Sequence, residues 1–543
     1  MLFYQKFFKE SFDEKGVLQG AELCFPPNYN FAYDVMDVLG AEQPHKLAML
    51  WRNEAGAERR FTFEDFRRLS SQAANVLQGL GLTKGDILTV SLRTHYTYWY
   101  IALAAHKLGL ILSPVYHLLS EEELYDRLVR SGSKGLIVIG EGDTPRIARR
   151  AAGRAGIGSL YAVGDLAEGF LDFEAAVAAA TEDFPRVETW ANEAMLLYFT
   201  SGTTREPKGV LHDHAFTLSA LLGARYMQDI GPDSLHFATG NTAWEVVCGT
   251  KFYGAWLCEG ALFVYDYERF HGVEVLQQLE EARVTSIMAQ PTVYRQMTDV
   301  GMDRFDLSSV RAMAVGGEKL TRDLADTVLR QTGHVLYEGY AQSEAGLIAA
   351  ASRNGGRKCG SVGRILPKYR VEILREDGSF ALPLEHGEIV LVASDGRRPV
   401  GLLMGYFHDP EATENLWDGD IFHTGDLGYR DEEDFLYYLG RVDGLIKTKG
   451  YRVSPLEIEN ALGRHPAVYE CLVAGVEDRD LGQRICAYVH LGEGYAPDEA
   501  LKEELMAFYN DTCTGFKKIR SLIFVPELWR NANGKLIRDQ FSK

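Results

Sequence analysis

Residues 62–92, TFEDFRRLSSQAANVLQGLGLTKGDILTVSL, hold one complete helix-then-strand unit, and their reading sets the fold class. Phe66, Leu69, Ala73, Val76, Leu77 and Leu80 recur at helical spacing, which predicts a helix with one apolar stripe to bury. Thr62 with Asp65 makes a capping box at its start, and Gly81 stands where a helix end favours a left-handed residue. Ile87 to Leu92 then follow as an apolar strand. The same alternation runs on to about residue 350, which predicts an α/β fold of layered sheets covered by helices.

Downstream the texture changes. Between about 358 and 440, short strands such as Tyr369 to Leu374 and Glu388 to Val392 flank turns such as Glu376-Asp377-Gly378, so a β-rich subdomain is expected there. After Gly440 the pattern reads strand, helix, two strands, helix, strand, as in a separate α+β domain. In it Ser454-Pro455-Leu456-Glu457 joins an N-cap, a proline at the first helical position and a capping-box glutamate. The expected division is a large N-terminal part over 1–440 and a small C-terminal domain over 441–543.

Composition narrows the function. The 543 residues are 46% hydrophobic and 24% charged, enough for a large core. A net charge of −19 argues against nucleic-acid binding, which needs clustered positive charge. The seven cysteines form no C-x-x-C pair, so they read as reduced thiols of a cytosolic, cytoplasmic protein. The N-terminal run MLFYQKFFKESFDEKG breaks its aromatics with Lys6, Lys9 and Glu10, so no transmembrane segment is expected and a packed first helix is favoured. A homo-oligomer is allowed, with its stoichiometry open.

The chemistry starts at Tyr198-Phe199-Thr200-Ser201-Gly202-Thr203-Thr204-Arg205-Glu206-Pro207-Lys208-Gly209, after the apolar run Met195 to Leu197. A strand opening into a hydroxyl-rich loop with a lysine offers N–H groups, hydroxyls and a cation to polyphosphate. The spacing differs from the G-x-x-x-x-G-K-S/T loop. Thr424-Gly425-Asp426 adds a carboxylate suited to a ribose diol.

These strings, in order, resemble the acyl-adenylate-forming (AMP-binding) family, and the resemblance covers nearly the whole chain. By it Thr200, Ser201, Gly202, Thr203, Thr204 and Lys208 form the phosphate loop, and Gly317, Glu318 and Lys319 form the adenine-side loop. Glu338, Gly339, Tyr340, Ala341, Gln342, Ser343 and Glu344 resemble the Y-G-Q-T-E segment. The resemblance implies Tyr340 against adenine, Ser343 at phosphate, Glu344 on Mg²⁺, and Asp426 and Arg441 at ribose or phosphate. Asp443 is implied as a hinge, after which the mobile domain brings Lys449, Gly450, Tyr451 and Arg452 toward coenzyme A. Asn533-Gly534-Lys535-Leu536-Ile537-Arg538 is similar to the terminal G-K-I-x-R, with Lys535 reaching the adenylation site beside Lys208 and Glu344 as catalytic groups.

Asn30 to Val35, Val210 to His214, Phe263 to Tyr267 and Pro291 to Arg295 point to the medium-chain acyl-CoA synthetase branch. Trp244, Gly249, Gly316 and Ala341 are the implied acyl-pocket residues. Ala341 stands where acetyl-CoA synthetases carry tryptophan, and Gly249 where close relatives carry a large aromatic, so a medium-chain, branched or aromatic acid is expected over acetate. Arg205, Asn241, Gly444 and Arg530-Asn531-Ala532-Asn533 depart from the family pattern. His212 and His214 read as structural. The implied reaction uses ATP, Mg²⁺ and coenzyme A to turn a small-molecule carboxylic acid into acyl-AMP and then acyl-CoA. An adenylating enzyme with another acceptor and a weakly catalytic nucleotide- or acyl-binding protein stay open as alternatives.

Overall fold

The computed structural model describes residues 2–200, 207–244, 249–318, 320–394, 396–449, 451–479, 481–513 and 515–530. The opening unit forms as expected. Helix Phe63–Gly79 starts at Thr62, whose Oγ1 accepts from the Asp65 amide at 3.1 Å while the Asp65 carboxylate accepts from the Thr62 amide at 2.9 Å. Gly81 takes a φ of +81° just past the helix. Strand Ile87–Ser91 is buried at every position, as a central strand covered on both faces must be.

Among the described residues, the strands assemble into two large mixed sheets. One has eight strands, with parallel Ile87–Ser91, Ile111–Pro114, Gly135–Ile139 and Leu160–Val163 at its centre and the antiparallel pair Ala194–Thr200 and Lys208–Asp213 near one edge. The other has nine, built on parallel Leu235–Ala238, Ala261–Asp266, Ser286–Ala289, Ala312–Val315 and Leu336–Gln342. Helix Thr97–Leu108 is buried along its whole length and belongs to the largest core, with Phe31, Phe66, Trp99, Tyr253 and Trp256. Outer helices such as Gly272–Ala282 cover the nine-stranded sheet through Val275, Leu276 and Leu279.

Residues 370–441 fold into the expected β-rich unit, in which Arg370–Leu374, Gly387–Val392, Ile421–Arg430 and Leu436–Arg441 pair antiparallel around Ile373, Ile389, Leu391 and Phe422. The segment beyond has its own core of Ile446, Ile458, Val473, Ile485, Leu505 and Leu522. Two details differ from the sequence reading. Its first strand is a hairpin of Ile446–Thr448 with Tyr451–Val453. Ser454 caps helix Pro455–Leu462 through the Glu457 amide, but the Glu457 carboxylate takes Lys517 Nζ at 2.7 Å, because an ammonium is a stronger partner than a cap amide.

The chain start also differs. A single turn at Phe3–Lys6 leads into a hairpin of Phe8–Phe12 with Leu18–Leu23, where a helix was expected. Phe3, Tyr4, Phe7 and Phe8 are all buried in the main core, the first two from the turn, Phe7 from its cap and Phe8 from the start of the strand. No helix among the described residues is long and apolar enough to cross a membrane, and the described cysteines are free thiols.

Candidate active site

Strand Ala194–Thr200 returns antiparallel as Lys208–Asp213, so Thr200 and Lys208 are register partners at the mouth of the hydroxyl-rich loop. Ser201, Gly202, Thr203, Thr204 and Arg205 lie outside the described residues, as do Lys319, Gly450 and Lys535. Lys208 Nζ sits 4.7 Å from the ring centroid of Tyr406, on the strand next to it. Tyr406 in turn donates to Glu344 Oε1 at 2.8 Å. Burial, and then the Glu344 charge, push the Tyr406 phenol far up, so it stays a donor. Sequence reasoning missed Tyr406, which carries no motif of its own.

Behind Glu344 the segment is held from below. His212 Nε2 donates to the Ser343 carbonyl at 2.8 Å, and the Leu403 amide donates to the Glu344 carbonyl at 2.7 Å. Burial lowers the His212 pKa to about 3, so the ring is neutral. Its neighbour Asp213 is ion-paired with Arg398, a second residue that sequence reasoning missed.

Asp426, 4% exposed, joins the two flanking strands. Its Oδ2 accepts from Tyr340 at 2.6 Å and from Gln342 Nε2 at 2.5 Å, and its Oδ1 lies 3.4 Å from Arg441 Nη1. Burial raises the Asp426 pKa, while Arg441 and the two donors oppose the rise. Tyr340 is thereby fixed by Asp426 and by stacking on Tyr438 at 5.7 Å. A Cβ on Gly425 would stand 3.0 Å from Arg441 Nη2, so only glycine lets the guanidinium lie over that turn. Arg441 also approaches Asp443, the expected hinge, at 3.4 Å.

Of the residues expected at the acyl pocket, Trp244 and Gly316 are brought to one turn. Gly317 has φ +86°, and a Cβ there would stand 2.6 Å from Trp244 Cη2, so the indole lies against the Gly316-Gly317 turn. A Cβ on Gly316 would meet Met288 Cε at 3.2 Å and the Gly339 carbonyl at 3.6 Å. Ala341 is on the same strand as Gly339, and Gly249 opens the helical turn Gly249–Tyr253. Glu338 accepts from the Leu320 amide at 3.3 Å. Glu318 lies 4.0 Å from Arg530, whose other partner is Glu470. Lys449 has φ +50°, the backbones of Lys447 and Arg452 pair, and Tyr451 stacks on Phe516 at 4.1 Å.

A single carboxylate beside a lysine fits Mg²⁺, which keeps most of its ligands from phosphate and water. Among the described residues no group of three His, Cys, Asp or Glu side chains could hold a metal ion.

The family model for AMP-binding enzymes matches residues 37–407, across both large sheets and every site strand up to Tyr406. The chain belongs to the AMP-binding enzyme family. The model for the AMP-binding enzyme C-terminal domain matches residues 457–535. The mouse protein named acyl-coenzyme A synthetase ACSM5, mitochondrial, is 32% identical over 95% of this chain and 90% of its own length. Among solved structures, the anthranilate CoA ligase AuaEII in complex with anthranoyl-AMP shares the fold at TM-score 0.85 and 23% identity, covering 94% of this chain and 96% of that one. The amide bond synthetase McbA from Marinactinospora thermotolerans matches at TM-score 0.82 and 25% identity, over 94% and 98%.

Proposed function

We propose that this chain is an ATP-dependent acyl-CoA synthetase that converts a carboxylic acid to acyl-AMP and pyrophosphate, and then to acyl-CoA and AMP. The observation that carries the reading is the run Lys208, Tyr406, Glu344 at the mouth of the phosphate-loop strands, beside Asp426 held by Tyr340, Gln342 and Arg441.

In the first half-reaction a carboxylate oxygen attacks the α-phosphorus of ATP, and pyrophosphate leaves with the bonding electrons. Two anions must meet, so positioned cations lower the barrier. Lys208 serves the phosphates and Lys535 the attacking carboxylate. Bound Mg²⁺ supplies charge neutralisation on the phosphates, and Glu344 would hold it. Asp426 accepts hydrogen bonds from the ribose hydroxyls, and Arg441 favours the charged form of that carboxylate against the pull of burial.

In the second half-reaction the coenzyme A sulfur attacks the acyl carbonyl, and AMP departs with the bonding pair. The domain 441–543 turns about Asp443 between the steps, exchanging Lys535 for the Lys449 to Arg452 face. The contact of Arg530 with Glu318 supports Lys535 serving the adenine-side face first, since five residues of chain span at most about 18 Å.

Ala341 and Gly249 favour medium-length, branched or aromatic acids over acetate. The likeness to an amide bond synthetase supports a second reading, transfer of the acyl group to an acceptor other than coenzyme A. We read the chain as cytosolic on its free thiols.

Acid-dependent exchange of labelled pyrophosphate into ATP, without coenzyme A, tests the adenylate step. Exchange that needs both acid and Mg²⁺ supports the proposal. Thioester formation with no exchange under any acid would exclude acyl-AMP as its intermediate.

A further inference from the structure

Behind the wall formed by Gly316 and Gly339 lies a group of buried polar atoms that the adenylation chemistry does not use. Gln228 and His236 are both 0% exposed. Both side-chain amide atoms of Gln228, and Nε2 of His236, have no hydrogen-bond partner among the described residues. Buried polar groups are normally paired, so these three atoms call for partners.

The strand register locates them. His236 and Ser286 are partners on the parallel pair, one step before the partners Ala238 and Met288 on the same face. Two strand residues span about 7 Å, so the His236–Ser286 pair stands about 7 Å from the Ala238–Met288 pair along the strands, and Gln228 joins it through its backbone carbonyl, which accepts from Ser286 Oγ. Met288 Cε is the atom nearest to a Cβ built on Gly316. Met227 Sδ and Leu347 Cδ1 stand 2.8 and 2.9 Å from a Cβ built on Gly339, while Leu347 Cδ2 and Gln228 Nε2 both neighbour Gly223. Thioethers are flexible and yield easily, so Met288 and Met227 make a deformable partition between the acyl-pocket wall and the polar group.

The hydrogen-bond directions define what fits. Ser286 Oγ donates to the Gln228 carbonyl at 2.6 Å, so it accepts from His236 Nδ1 at 3.1 Å, which leaves Nε2 as an acceptor. Burial, aided by the buried Lys251, lowers the His236 pKa to about 3, so the ring is neutral. A neutral hydroxyl donates to Nε2 and accepts from the Gln228 amide nitrogen. A carboxylate has no proton to give, and an ammonium is opposed by Lys251.

We infer that the acyl pocket continues past Met288 and Met227 to a polar end formed by Gln228 and His236, which selects carboxylic acids bearing a neutral hydroxyl remote from the carboxyl group. This rests on the acyl-CoA synthetase reading.

The test compares kcat/KM for AMP formation with 4-hydroxybenzoate against benzoate, and with 6-hydroxyhexanoate against hexanoate. At least one hydroxylated member is expected to win by about tenfold or more in the unaltered protein. In Gln228→Met and His236→Asn that ratio is expected to fall to within about threefold of unity. Equal or lower turnover of both hydroxylated acids in the unaltered protein would overturn the inference and assign the polar atoms to buried water. Should no acid turn over, the ligase reading fails separately. Calorimetric titration of the unaltered protein with the same pairs then decides, since equal affinity or no binding of the hydroxylated member overturns the inference and tighter binding of it sustains the pocket.

Discussion

The Tyr406 hydroxyl donates to Glu344 Oε1 at 2.8 Å, although the two lie 62 positions apart, Tyr406 on the edge of the eight-stranded sheet and Glu344 in a turn between two strands of the nine-stranded sheet. Tyr406→Phe removes one hydrogen bond to a charged group, worth about 1.5 to 3 kcal/mol. The expected result is a fall of about tenfold or more in kcat/KM for MgATP, with the Mg²⁺ titration moved to higher concentration. An unchanged Mg²⁺ dependence would separate Glu344 from the metal.

Gly317→Ala places a methyl group 2.6 Å from the Trp244 ring at a φ of +86°. Overpacking and strain together should cost about 1 to 3 kcal/mol in urea unfolding. Adding Trp244→Leu should recover part of that loss, because it removes the atom that is struck. Additive losses in the double variant would mean that the indole and the turn do not bear on each other.

Asp426→Asn leaves Arg441, whose side chain is 44% exposed, next to a neutral amide, and solvent screening holds the cost of losing that ion pair to about 1 kcal/mol or less. ATP affinity measured by calorimetry is expected to fall by at least about tenfold, and Gln342→Ala should weaken it by less. Asp426→Asn with full ATP affinity would contradict the ribose role.

A pH prediction comes from Asp266, whose carboxylate is fully buried 3.2 Å from Arg93 Nε. Burial, against the pull of Arg93, raises its pKa to about 6. A folded-state pKa above the unfolded value makes the native state hold the proton more tightly. This contribution is therefore intact below about pH 4 and lost as pH rises to about 6. Asp266→Asn lacks the loss, so its stability relative to the unaltered protein should grow by up to about 3 kcal/mol between pH 4 and pH 6. A stability difference flat across that window would show that the carboxylate titrates normally.

Local pattern made much of this fold and site legible. Helix Phe63–Gly79 was readable because its stripe and its Thr62 cap are sequence-local. The β-rich unit was readable because short strands and Gly turns recur within it. Thr200, Lys208, Glu344, Asp426 and Arg441 stand out along the chain because each sits in an ordered string, and the fold sets Thr200, Lys208 and Arg441 at strand ends, Glu344 in a turn and Asp426 within a strand. Tyr406 and Arg398 were not, since their value lies in Glu344 and Asp213, brought to them only by sheet assembly. Gln228 and His236 look like ordinary core positions along the chain, and only the strand register of His236 with Ser286 and the Ser286 hydrogen bond to the Gln228 backbone bring them together. The aromatic spacing at the chain start suits a helix and a strand alike, and pairing of Phe8–Phe12 with Leu18–Leu23 decides between them.

Lys535→Ala should separate the half-reactions. Adenylation is expected to drop by about a hundredfold or more, as for loss of a charge that stabilises the transition state. Thioester formation from supplied acyl-AMP should remain within a few-fold of the unaltered rate. Equal loss of both would assign Lys535 to folding or to nucleotide binding in general.

Pyrophosphate release from MgATP, measured over acids from acetate to decanoate with branched and aromatic members, each with and without coenzyme A, tests the two-step ligase most directly. Turnover that peaks above acetate and depends on coenzyme A, with AMP and acyl-CoA formed in equal amounts, is the predicted result. Turnover indifferent to coenzyme A, or none with any acid, would contradict it.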